Sequence, residues 1–324
     1  MNYSIIRLFE KNLSAGDFKD TVFNSDTVSL KNGALSGEYV SPFLTSAFFF
    51  KEAIPSLNIK CPSGASFEAE VKFEGDIYIS FGSWGKNFAP KILKSELAEL
   101  NNDYFKLNKP CKKCRFRLKL FASEKGLSPI IKSVNMAFSD QVFEGYRNFL
   151  DSPFTLTKEI QVPFKSQFAE DKSFRSNICS VTSVAMIMAY YGTDIPVSSI
   201  VPAVYEPFYN MYGLWWRSVQ VTCEYGYTSW VQYFKNFKEA ERFIAEGIPV
   251  AACVSYKENE LKKAPRQFSE GHVIVINGFD DKGNVICRDS AGKDLSEGCV
   301  TYNREEFAKA WFVNAGGVGY IILP

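Results

Sequence analysis

The sequence predicts an α+β chain in two parts, an all-β sandwich over residues 1–150 and a domain of helices plus antiparallel sheet over residues 151–324. Three observations carry that prediction. Apolar and polar residues alternate with period 2 through the first part. The second part opens on helical spacing that stops at glycines and then runs into apolar, strand-like segments. Between them the irregular stretch GYRNFLDSPFTLTKEIQVPF places a boundary near 145–158.

In SFEAEVKFEG, Phe67, Ala69, Val71 and Phe73 alternate with Glu68, Glu70 and Lys72. In CRFRLKLFAS, Phe116, Leu118 and Leu120 alternate with Arg115, Arg117 and Lys119. Such strands bury one face and wet the other, as in an antiparallel sandwich. IIKSVNMAFSD is expected to close the sheet, and a short helix is expected around Lys91–Leu100. Beyond the boundary, VTSVAMIMAYYG is apolar on nearly every side with Gly192 in the C′ position, so it predicts a deeply buried helix. FKEAERFIAEG predicts a second helix ending at Gly247. PVAACVSY, HVIVINGF, NVICRDS and GVGYIILP predict strands, giving helices first and an antiparallel sheet after.

The net charge of +1 over 324 residues offers no basic field for nucleic acid. No apolar run approaches the roughly 18–20 residues of a membrane span. The N-terminal segment breaks its apolar stretch with Arg7, Glu10 and Lys11, unlike a secretory signal. The chain as it stands is therefore expected in the cytoplasm, or outside the cell if a signal has been removed. Eight cysteines in a chain of this size do not form a disulfide framework, and Cys253 and Cys287 lie in apolar runs as small core residues.

The sequence holds a single histidine, His272, so any histidine-dependent mechanism must use it. His272 opens the strand HVIVINGF, DDKG makes the turn, and the next strand ends at Asp289. This hairpin puts His272 and Asp289 on one face, opposite or one diagonal step apart. A carboxylate there holds the imidazole in one tautomer and favours its protonated form. Cys179 leads the buried helix, where the helix dipole and an imidazolium both favour the thiolate. Asn177 is expected to cap that helix, whose first-turn amides then point at a developing oxyanion. Gln167, twelve positions before Cys179, is placed to donate a further hydrogen bond.

These segments resemble a known family. QVPFKSQ, NICSVTSVAMIMAYYG and GHVIVINGFDDKGNVICRDS are similar to the three signature blocks of the C39-like cysteine peptidases of the papain-like superfamily. LWWRSVQVTCEYGYTSWVQYF and the AEGIPVAACVSY segment match the stretch between blocks, and the likeness covers roughly residues 160–290. FGSWGKNFAP and FRLKLFASEKGLSPIIKSVNMAFS more loosely resemble a β-rich domain that precedes the peptidase in one bacterial branch. The resemblance implies Cys179 as nucleophile, His272 as base, Asp289 as orienting acid and Gln167 as oxyanion donor. It implies a peptide or protein substrate and calls for no cofactor or metal. Two departures stand out: Ser180 and Val181 follow the cysteine where Gly-Pro or Ser-Pro is common, and Ser290 follows the acid where proline is common.

Blander readings compete. A cysteine before an apolar helix is often core, a lone histidine often structural, and an aspartate often a turn residue. Asp280 and Asp281 are the alternatives to Asp289, with turn solvation as their simpler role. CKKC at 111–114 lacks the four ligands of a structural zinc and precedes a strand rather than a helix. The aromatic run YEPFYNMYGLWW, 205–216, fits a substrate cleft or packing between the domains, and neither is strongly favoured. Two further functions are consistent with the residues: an acyl transferase using the same triad, or an inert domain beside a front domain that binds glycan or protein.

Overall fold

The computed structural model of the protein describes residues 2–86, 88–90, 92–140 and 156–324. Most of the boundary segment expected at 145–158 lies outside these residues. The chain divides into two compact units, Met1–Val142 with Pro207–Tyr209 and Phe143–Glu206 with Asn210–Pro324.

The first unit is built from strands β1 (Tyr3–Phe9), β2 (Asp17–Lys19), β3 (Thr21–Asn24), β4 (Thr27–Leu30), β5 (Ser36–Val40), β6 (Leu44–Lys60), β7 (Ala65–Phe73), β8 (Tyr78–Trp84), β9 (Ala98–Asn101), β10 (Tyr104–Ala122) and β11 (Ile130–Ser139). They join in one antiparallel hydrogen-bonded system. The long β10 pairs with β6 and β9 along its first half and with β5 and β7 along its second. Period 2 explains its two faces. Phe116, Leu118 and Leu120 are buried, whereas Arg117 and Lys119 hold the buried Glu70 carboxylate of β7. Each buried Leu or Phe contributes on the order of 2 kcal/mol.

Two expectations for this unit are corrected. Among the described residues of Lys91–Leu100 no helix forms: 98–100 belong to β9, Lys94 bridges to Glu99, and the rest are loop. Ser95 Oγ there accepts from the Leu97 and Ala98 amides and donates to Asp76. A serine that captures nearby amides in this way replaces the helical ladder. Cys111 and Cys114 lie inside β10 rather than ahead of a strand, both buried at a register irregularity. Burial pushes the Cys114 thiol pKa well up, which disfavours the reactive thiolate.

The second unit carries β12 (Lys158–Glu159), helices α1 (Cys179–Tyr190), α2 (Val197–Val204) and α3 (Trp215–Glu224), then β13 (Thr228–Tyr233), α4 (Phe237–Ala245), β14 (Val250–Tyr256), β15 (Ser269–Phe279), β16 (Val285–Arg288), α5 (Leu295–Gly298), β17 (Cys299–Tyr302), α6 (Arg304–Ala308) and β18 (Val318–Leu323). Strands run in the order β13-β18-β14-β15-β16-β17, with β12 beside β15, and the paired strands are antiparallel. The segregation of helices before sheet is corrected, since β13 precedes α4 and two short helices interrupt the later strands.

The helix α1 is buried on most sides, as its apolar run requires. Its inward polar groups are all spoken for: Ser180 Oγ meets Ser218 Oγ (2.7 Å) and Tyr320 Oη (3.1 Å), and Ser183 Oγ donates to the Val273 carbonyl (3.0 Å). It ends as predicted. Gly192, at φ +98°, lets the Gly192 and Thr193 amides close on the Ala189 and Met188 carbonyls. Gly247 ends α4 by the same pattern.

Candidate active site

The site sits where the first residue of α1 meets one face of β15. Thr182 N–H makes the first intrahelical bond, to the Ile178 carbonyl, so the amides ahead of it have no acceptor within the helix. The expected Asn177 cap is not formed. Ile178 is the N-cap and offers no side-chain oxygen, because Arg175–Asn177 already form a separate helical turn. The polarity of the helix start is thus left undiminished by a capping oxygen.

His272 does not open its strand, as β15 begins at Ser269. The register with β14 shifts between Val254, opposite His272, and Tyr256, opposite Ser269. Glu270 and Gly271 of β15 there face the single Ser255 of β14, and this bulge re-aims the side chain that follows. Across the hairpin, Val275 pairs with Arg288, which sets Asp289 one diagonal step from His272. His272 Nε2 meets Asp289 Oδ1 at 2.7 Å with both side chains fully buried.

The rest of the carboxylate is also held. Ala291 N–H reaches Oδ1 (2.9 Å) and Tyr302 O–H reaches Oδ2 (2.8 Å). Burial pushes the Asp289 pKa up, but His272 and these donors outweigh it and hold the carboxyl below its ordinary range. His272 shows the complementary balance. Burial lowers its pKa, yet the Asp289 charge and the Cys179 thiol raise it to about 10. Its Nδ1 has no hydrogen bond of ordinary length among the described residues.

Cys179 is half-buried. Burial alone would raise its pKa; the His272 ring, the Val273 N–H and the Arg266 charge together bring it below the usual thiol value. The single peptide segment at Val273 thereby serves α1 twice, its N–H facing Cys179 and its carbonyl accepting from Ser183.

Gln167 is fully buried in the short turn Gln167–Ala169. Its backbone N–H donates to the Ser290 carbonyl (2.9 Å) and its Nε2 donates to the Arg175 carbonyl (2.7 Å). The Oε1 accepts from Ser290 Oγ (3.0 Å), leaving the second amide N–H without a hydrogen-bond partner among the described residues. The chain ahead of Gln167 is docked by Asn277, whose carbonyl accepts from the Ile160 N–H and whose Nδ2 donates to the Ile160 carbonyl, and by Arg288, which reaches Val162 and Glu159.

Asp280 serves its own turn, accepting from the Lys282 and Asn284 amides, and does not meet His272. Cys253 and Cys287 are buried in the core as expected. The aromatic run divides: Trp216 is core, whereas Tyr212 packs on Tyr205 (4.7 Å) and Phe174 (6.0 Å) just before the cysteine segment. Sequence reasoning missed Tyr302, Tyr256 and Arg266. Tyr302 lies on a strand with no registered link to Asp289 in the sequence. Tyr256 is a buried phenol whose O–H has no partner among the described residues, and burial followed by the Asp289 charge raises its pKa.

The family model described as Peptidase_C39 like family matches residues 159–317. Among solved structures, a candidate C39-like peptidase from Bacillus anthracis is similar at 19% identity and TM-score 0.39, covering 52% of this chain and 98% of that one. A mutant of a family 29 carbohydrate binding module matches at 10% identity and TM-score 0.24, over 44% of this chain and all (100%) of that one. A family 32 module from a Clostridium perfringens family 31 glycoside hydrolase matches at 13% identity and TM-score 0.18, over 43% and 94%. At these scores the likeness fixes neither architecture nor ligand. No curated protein matches. Among the described residues no helix is long and apolar enough to cross a membrane.

Proposed function

Because residues 159–317 belong to the Peptidase_C39 like family, we propose that the chain is a cysteine peptidase that hydrolyses a peptide or related amide bond. In this reading the second unit is a papain-like domain and the first a β-sandwich accessory domain. The observation that carries it is the fully buried His272–Asp289 pair at 2.7 Å, coupled on its other side to the half-buried thiol that begins α1.

Cys179 attacks the carbonyl carbon as a thiolate while His272 holds the proton. The carbonyl π electrons move to oxygen, and the Gln167 amide with the first amides of α1 stabilises the oxyanion. Collapse expels the amine, which takes its proton from His272, and leaves a thioester. Water then gives a proton to His272, attacks the thioester carbon and releases the acid and the Cys179 thiolate, restoring the thiolate–imidazolium pair. Asp289 keeps the ring oriented and stabilises its charge throughout.

The test is turnover by the full chain of a mixed peptide library, with products identified by mass spectrometry. Cleavage that disappears in Cys179→Ala supports the reading. Cleavage that survives in Cys179→Ala, or a chain that binds peptides and cuts none, contradicts it.

A further inference from the structure

The arginines of the second unit divide by their partners. Arg217, Arg288 and Arg304 each hold a carboxylate, from Glu206, Glu159 and Glu241 respectively. Arg175, Arg242 and Arg266 hold none among the described residues, and of these Arg266 is the one whose charge reaches Cys179. It stands in the connection between β14 and β15, half-buried, and its Nη2 donates to the Ser176 carbonyl at 2.9 Å. Ser176 belongs to the helical turn Arg175–Asn177, separated from Cys179 by Ile178 alone. The guanidinium is thereby fastened to the backbone three residues ahead of the nucleophile, and its positive charge acts on both Cys179 and Tyr256.

A guanidinium presents five N–H donors in a planar fork that matches a carboxylate. Among the described residues one contact, to a neutral carbonyl, uses that fork. A half-buried cation with no counter-charge among the described residues is an incomplete pair. Two residues on, Phe268 is 66% exposed, giving the same connection an apolar surface next to its cation.

We infer that Arg266 binds a carboxylate of the substrate beside the bond that Cys179 attacks, so that the enzyme prefers substrates with an acidic side chain or a free α-carboxylate there. The specificity rests on the hydrolase reading, but the cation itself can be tested without turnover. Alkylation of Cys179 in the full chain by anionic iodoacetate and by neutral iodoacetamide gives a rate ratio that reports the local positive charge. Arg266→Gln is expected to lower that ratio roughly tenfold, the size of one charge-assisted contact, and Arg266→Lys to keep most of it. A ratio unchanged in Arg266→Gln overturns the proposal while leaving the hydrolase intact. A ratio that depends on Arg266 in a chain that cleaves nothing keeps the anion site and sinks the hydrolase.

Two peptide panels then identify the source of the carboxylate. One places glutamate near the scissile bond with an amidated end, and the other keeps neutral side chains with a free end. A higher kcat/KM for either panel over its uncharged match, lost in Arg266→Gln, supports the inference and names the group. Equal rates for charged and uncharged peptides contradict it.

Discussion

Ser290 O–H donates to the Gln167 side-chain carbonyl at 3.0 Å, tying the residue after Asp289 to the oxyanion candidate 123 positions earlier. Ser290 is one of the two departures from the family pattern, and this bond gives it a local use. With Oε1 held, the Gln167 amide is turned so that its nitrogen faces away from Ser290. Ser290→Ala is therefore expected to lower kcat by about 5- to 10-fold with little change in KM, one neutral hydrogen bond's worth. Gln167→Ala should cost about 100-fold or more, in line with loss of an oxyanion donor. Steady-state kinetics check both; equal losses for the two variants would argue against the positioning role.

Asp289→Asn tests the ring's orientation. The amide can keep the contact to Nε2 yet cannot stabilise the imidazolium, so activity is expected to fall at least about 100-fold. Tyr302→Phe removes one donor from the same carboxylate. It should cost about 1–2 kcal/mol of stability by denaturant unfolding.

Tyr256→Phe should behave in the opposite way. Its O–H is buried without a partner among the described residues. Removing an unpaired hydroxyl is expected to leave stability unchanged or raise it by up to about 1 kcal/mol. A loss as large as that of Tyr302→Phe would mean that the phenol has a partner in solution.

Stability should also depend on pH through His272, best read in Cys179→Ser, where the thiol does not titrate alongside it. Burial lowers the ring's pKa, but Asp289 raises it further. A folded pKa above the unfolded value of about 6.5 gives stability that is fully present below that value and lost as pH rises through the folded one. Asp289, held low by His272 against its burial, contributes above its unfolded value of about 3.9 and is lost as pH falls through its folded one. Urea midpoints should thus plateau between roughly pH 4 and 6.5 and fall on both sides. In Asp289→Asn the alkaline fall should shrink; an unchanged alkaline limb would assign it elsewhere.

Much of the site was legible in the sequence because it rests on local patterns. The diagonal relation of His272 and Asp289 follows from a short hairpin with a marked turn, and both glycine-terminated helices follow from apolar periodicity. Side-chain capture of backbone was not legible: Ser95 displaces a helix, and a separate turn displaces the Asn177 cap. The helices α2 and α3 were also missed. Pro202 inside α2 and the buried Arg217–Glu206 pair of α3 depend on partners that only the assembled core supplies. Tyr302 and Arg266 reach the site from other segments for the same reason.

The central claim is that Cys179 is an activated thiol and not a packing residue. Cys299 is the fitting internal comparison, since it is exposed where Cys179 is half-buried. Iodoacetamide labelling of the full chain across pH 5 to 9, with sites mapped by mass spectrometry, measures both thiols at once. The account predicts that Cys179 reacts faster than Cys299 at and below neutral pH, and that His272→Ala abolishes this advantage. Labelling of Cys179 no faster than Cys299, or an advantage that survives His272→Ala, would contradict it.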